Sequence, residues 1–123
     1  MLHLIIEKFG MGLEHAVTLQ RLLASIVYEE ILKLAPTARL HRDGDDLFVG
    51  GDSKLSISIA TVTPVSALIH FAVNITNENT PVKTASLGDL TINSRQIADL
   101  IGERFIKEVQ TIKEATQKVR WVN

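Results

Sequence analysis

The side chains that form a candidate binding surface lie close together in the middle of the chain. Lys54, Ser56, Ser58, His70 and Asn74 all fall between positions 54 and 74. In extended backbone, successive side chains point to opposite faces. By that parity a strand over 54–62 sets Lys54, Ser56, Ser58 and Ala60 against Leu55, Ile57 and Ile59. A second strand over 65–75 sets Ser66, Leu68, His70, Ala72 and Asn74 against Ala67, Ile69, Phe71, Val73 and Ile75. If the two are hairpin neighbours, the apolar rows meet the helices. The opposite rows then display an ammonium, hydroxyls, an imidazole and a carboxamide, a candidate surface for a ligand or a partner. Half of an antiparallel sheet is commonly just wet, and on pattern alone that is the preferred reading. The small size of Ser56, Ser58, Ala60 and Ala72 pulls the other way, because it leaves room for a ligand or partner to lie against the sheet.

Other candidate chemistry is weaker. The acidic turn Asp43-Gly44-Asp45-Asp46 fails as a calcium loop: position twelve counted from Asp43 is Lys54, and from Asp45 is Ser56, where a bidentate Glu is required. As a turn it needs no function, since Asp and Gly are ordinary turn residues. The four histidines, His3, His15, His41 and His70, show no metal-ligand spacing, and the absence of cysteine excludes thiolate sites, thiol nucleophiles and disulfides. No metal site is expected; the catalytic residues and any cofactor are unknown at this level.

The elements that must position these residues follow from periodicity. Residues 2–7 read as a strand, and Gly10 and Gly12 mark a turn. From Leu13 to Leu34 a helical stripe appears at Ala16, Leu19, Leu23, Val27 and Ile31, and Pro36 disfavours helix at Ala35. Short strands are predicted at 38–42 and 46–49, with a hairpin turn at Gly50-Gly51-Asp52-Ser53 before the two long strands. Residues 76–92 read as a loop with a short strand near 82–86. A second helix starts near Asn93, with Gln96 in capping-box spacing, and carries Ile97, Leu100, Ile101, Phe105, Val109, Ile112 and Ala115. The tail, 118–123, is expected to be an edge strand or to pack across the sheet. The order β-α-β-β-β-β-α implies α+β: a mixed, mostly antiparallel sheet with two helices packed on one face.

At 123 residues the chain is expected to form a single domain, 1–123. The net charge is −1 and the basic residues are scattered, which argues against nucleic-acid and anionic-membrane surfaces. The apolar runs are too short for a membrane span, and the N-terminus is a poor signal peptide, so a cytoplasmic location is expected.

The run from Leu19 to Asn74 resembles the second half of the biotin–protein ligase catalytic domain. The points of likeness are Arg42-Asp43-Gly44-Asp45-Asp46 where those enzymes carry Lys-Trp-Pro-Asn-Asp, then Leu47-Phe48-Val49, Lys54-Leu55 and Val73-Asn74-Ile75. The whole chain is more similar to an uncharacterised prokaryotic family with the same biotin/lipoate ligase-like core. That likeness rests on Gly44-Asp45-Asp46-Leu47, Lys54–Thr61, Ile69-His70-Phe71 and the segments 81–84 and 118–120. Members of that family extend further upstream, so a short or N-terminally truncated member is expected.

The ligase resemblance implies roles for matched positions. Lys54 would face a carboxylate or acyl-phosphate, Asp46 and Asn74 would lie near a nucleotide, and Arg42 would replace the motif lysine; Asp45 sits beside them. Asp43-Gly44 replaces Trp-Pro, however, and the glycine- and arginine-rich loop that closes over the adenylate in ligases is absent from this chain. The resemblance therefore implies a ligase-like partial domain and no complete ligase reaction. Two functions remain open. One is a domain binding an adenylate- or carboxylate-like small molecule at Lys54, Asn74, Asp46, Asp45, Arg42, His70, Ser56 and Ser58. The other is a non-catalytic module that homo-oligomerises, with a homodimer as the simplest form.

Overall fold

The computed structural model describes residues 1–77 and 83–117. Its elements are β1 (Leu2–Phe9), α1 (Leu13–Leu34), β2 (Leu40–Asp43), β3 (Asp46–Val49), β4 (Ser53–Lys54), β5 (Ser56–Val62), β6 (Ser66–Val73), a 3-10 turn (Gly88–Leu90) and α2 (Ser94–Gln117). The class is α+β, as the element order implies. The strands form two three-stranded antiparallel sheets, β1-β6-β5 and β2-β3-β4, in place of one mixed sheet. The expected strand over 54–62 breaks at Leu55, and that break divides the two sheets. Of the strand expected at 82–86, the described part holds one parallel bridge, Thr84 to Lys54. The expectation for the tail lies outside the described residues.

Both helices form for the reasons visible in their periodicity. In α1 the predicted stripe, Ala16, Leu19, Leu23, Val27 and Ile31, is buried. The helix stops at Leu34, and Ala35 before Pro36 leaves helical geometry at φ −136°. At the start of α2, Asn93 Oδ1 accepts the Gln96 backbone N–H at 2.9 Å, satisfying one of the otherwise unpaired first-turn donors. Ile97, Ile101 and Phe105 are buried, but Ile106 and Ile112 are exposed, so the second half of α2 runs past the core it was expected to cover. Gly44 and Gly50 close the two tight turns of the smaller sheet at φ +65° and +71°, where a side chain would be strained.

The register corrects the expected faces of the central strands. Residues paired across an antiparallel ladder share a face. Ser56 pairs with Val73, Ser58 with Phe71 and Ala60 with Ile69. The small residues of β5 therefore lie on the apolar, helix-covered side, whereas Ile57 (58 % exposed) and Ile59 (63 %) face outward beside Ala72 and His70. For β6 the parity reading is right: Ala67, Ile69, Phe71 and Val73 are buried. Something does occupy the room left by the small residues of β5: it is α1, whose buried Gln20 reaches Ser58. Among the described residues no helix covers the other face of the larger sheet, which is correspondingly apolar, with Ile5 and Phe9 of β1 about as exposed as the two isoleucines of β5.

Candidate functional site

The break at Leu55 is built from backbone and hydroxyl hydrogen bonds. Leu55 N–H donates to Leu47 O at 2.8 Å, and Leu47 N–H donates to Ser56 Oγ at 3.1 Å, so one residue of β3 is held from both sides. On the other side Asn74 N–H donates to Leu55 O at 2.9 Å. The Asn74 carboxamide donates to Lys54 O at 3.3 Å and Ala85 O at 3.1 Å, and Leu87 N–H returns to Asn74 O at 2.8 Å. Asn74 thus ties the end of β6 to the junction and to the segment after position 83. The donors it could have offered a ligand are committed to that task.

Lys54 sits beside this strut. Its ammonium lies 3.2 Å from Asp46 Oδ1, and both side chains are partly exposed. Lys54, Ser56 and Asn74, with Met1, Ile57 and Thr84, line a shallow pocket of about 210 Å³. An exposed ammonium above a mostly apolar concavity can hold one carboxylate or phosphate group while the rest of a small molecule lies against Ile57 and Met1. The anion would have to share Lys54 with Asp46.

The other named residues are elsewhere. Ser58 Oγ accepts from Gln20 Nε2 at 2.8 Å and donates to His70 O at 2.8 Å, within the helix-covered layer. Asp45 Oδ2 accepts the same Gln20 amide nitrogen at 3.0 Å, so it anchors α1 to the turn after β2. Arg42 Nη1 folds back onto Gly44 O at 2.6 Å. His70 is on the outer sheet face, its Nε2 2.8 Å from His3 Nδ1, with the two rings stacked at 5.0 Å. The structure therefore groups Lys54, Asp46, Asn74 and Ser56, and separates them from Ser58, Asp45, Arg42 and His70. Gln20, His3, Met1 and Thr84 carried no local signal in the sequence; each matters through a partner distant along the chain. Among the described residues no three His, Cys, Asp or Glu side chains converge as metal ligands.

Comparison with known proteins places this geometry. The domain of unknown function DUF366 matches residues 1–120. An uncharacterized protein of Methanocaldococcus jannaschii is 33% identical over 120 residues, which is 95% of this chain and 53% of the relative. The chain therefore spans about half the length of the curated relative it matches. A protein of unknown function from Pyrococcus horikoshi superposes with a TM-score of 0.85 at 34% identity, over 98% of this chain and 64% of that one. The biotin protein ligase of Aquifex aeolicus, in complex with biotin and ATP, superposes at 0.69 with 12% identity, over 92% of this chain and 52% of the ligase. Its apo form gives 0.69 at 13% identity. At that identity the likeness is one of fold: the chain has a biotin ligase-like core. By sequence, the chain belongs to the DUF366 family of domains of unknown function.

Proposed function

We propose that this chain binds a small carboxylate- or phosphate-bearing molecule, adenylate-like in class, at the Lys54 end of the larger sheet. The observation that carries the reading is the partly exposed Lys54 ammonium over the pocket lined by Ser56, Ile57 and Asn74. The ligase-like fold supports it, because the Aquifex ligase is described with biotin and ATP on the same architecture. Asp46 orients the ammonium, and Asn74 keeps the pocket wall in place. Ser58, Asp45, Arg42 and His70 belong to the proposal as supporting positions, through the hydrogen bonds that hold α1, the β2–β3 turn and the sheet together. We assign no reaction. A cytoplasmic location is proposed on the lack of cysteine, and no nucleic-acid role is proposed on the scattered basic residues. No helix among the described residues is long and apolar enough to cross a membrane.

The test is a thermal-shift series with biotin, lipoate, octanoate, ATP and a non-hydrolysable acyl-adenylate mimic. At least one should raise the melting temperature of the wild type, and Lys54→Ala should abolish that rise while leaving the unliganded melting temperature within a few degrees. No shift with any of them, or an equal shift in Lys54→Ala, defeats the proposal.

A second reading, a module that associates with its own kind, is favoured by one observation. Ile5 (73 % exposed), Phe9 (70 %), Ile57 and Ile59 make the outer face of the larger sheet apolar.

A further inference from the structure

The larger sheet has its order β1-β6-β5, so among the described residues no strand pairs with the other long side of β1. Which residues offer their backbone there follows from the hydrogen-bond alternation of antiparallel ladders. Gly10 N–H donates to Val65 O at 3.0 Å, and these two continue the β1–β6 register by one step. The even-numbered residues of β1 therefore bond to β6. His3, Ile5, Glu7 and Phe9 turn their N–H and C=O groups to the open side. The other ladder agrees: Asn74 N–H donates to Leu55 O and Thr63 N–H to Ser66 O, so β6 uses its alternate residues toward β5.

Among the described residues, β1 lacks most of the devices that commonly blunt such an edge. It runs for eight residues without proline, and its charged residues, Glu7 and Lys8, sit together near one end. The same odd-numbered residues that offer backbone groups carry the exposed apolar and charged side chains of the outer face. On the helix side, Leu4 and Ile6 border shallow apolar clefts shared with Phe105 and the exposed Ile106 of α2.

Resting on the self-association reading, we propose that two copies of this chain pair β1 to β1 antiparallel, about a twofold axis at Ile5. The occupant follows from self-complementarity. A twofold pairing must match open-side residues with open-side residues, which requires odd to face odd. With the axis at Ile5, His3 of one copy faces Glu7 of the other twice, and Ile5 faces Ile5. Moving the axis to Ile6 would instead set Glu7 against Ile5 and His3 against Phe9, facing each polar side chain with an apolar one. On the helix side the register at Ile5 sets Leu4 against Ile6, next to the clefts under Ile106. The result is one continuous six-stranded sheet whose central edge is no longer open.

The experiment separates association from register. Wild type should sediment as a dimer at micromolar concentration. The chain has no cysteine, so Ile5→Cys should form a covalent dimer on mild oxidation, because residues facing each other in such a ladder lie within disulfide reach. Glu7→Lys should raise the dimer dissociation constant roughly tenfold, two exposed cross-strand polar contacts being lost together. The double variant His3→Glu with Glu7→Lys should restore it. A monomeric wild type overturns the reading and the proposal together. A dimeric wild type in which Ile5→Cys does not cross-link, or Glu7→Lys associates normally, overturns this register and leaves self-association through another surface standing.

Discussion

Replacing Ser58 by alanine is expected to destabilise the protein by about 1–3 kcal/mol, although a solvent-facing serine would be nearly neutral. The magnitude follows from Gln20, which is 4 % exposed and uses its amide nitrogen on two acceptors, Ser58 Oγ at 2.8 Å and Asp45 Oδ2 at 3.0 Å. Removing the hydroxyl leaves one buried N–H without an acceptor, and that desolvation is the dominant cost. His70 O also loses the Ser58 donor, but it lies opposite Ile59 in a ladder pair that bonds backbone to backbone, so it is not orphaned. The deleted oxygen leaves a space too small for a water with several polar partners, so rescue by solvent is not expected. Urea unfolding followed by far-UV circular dichroism provides the assay. With a slope of about 1–3 kcal/mol per molar for a domain this size, the midpoint should fall by roughly 1 M with the slope unchanged. The control is Ile59→Thr, measured in monomeric conditions; it lies on the opposite, exposed face and should stay within about 0.5 kcal/mol. Neutral Ser58→Ala with costly Ile59→Thr would mean that β5 presents the other face, and the register argument would be wrong.

Two further outcomes are expected. Arg104 binds Glu29 and, at 3.3 Å, the buried Glu30, joining α1 to α2, and the Glu29 carboxylate holds its guanidinium above the ordinary value. Arg104→Ala should cost about 1–2 kcal/mol by chemical unfolding, less than the ~3–5 for a fully buried pair, because Lys33 still neutralises Glu30 at 3.0 Å; a loss under about 0.5 kcal/mol would show that the helices do not depend on this link. Lys83 lies 2.9 Å from Asp52 and holds its carboxyl below the usual 3.8. A depressed folded-state value means the pair's contribution is present above the ordinary value and is lost as pH falls through the depressed one. An NMR titration should therefore show Asp52 shifting upward toward its ordinary value in Lys83→Ala, and an unchanged titration would dismiss the pair.

What the sequence determined by itself is local. The stripe from Ala16 to Ile31, the stop before Pro36, the Asn93 cap and the turn glycines each depend on residues within a few positions, and all appear where they were expected. The likeness of 42–49, 54–55 and 73–75 to a ligase core was legible too, because it rests on short local runs: the turn at Asp43–Asp46, the strand after it, the break at Leu55 and the end of β6 at Asn74. Which face of β5 is covered was not legible. Alternation says only that Ile57 and Ile59 share a side; it does not say on which side α1 lies. Apolarity then favours the isoleucines as core, but the tertiary structure places Ser56 and Ser58 there. Their hydroxyls find Leu47, Gln20 and His70 as partners, and their small size lets the helix approach. The same limit hid the pairing of His3 with His70, 67 positions apart, which exists because β1 lies beside β6. The strands were written locally, but the tertiary packing decided what each of them touches, because only there do distant polar atoms find the hydrogen bonds that make their burial tolerable.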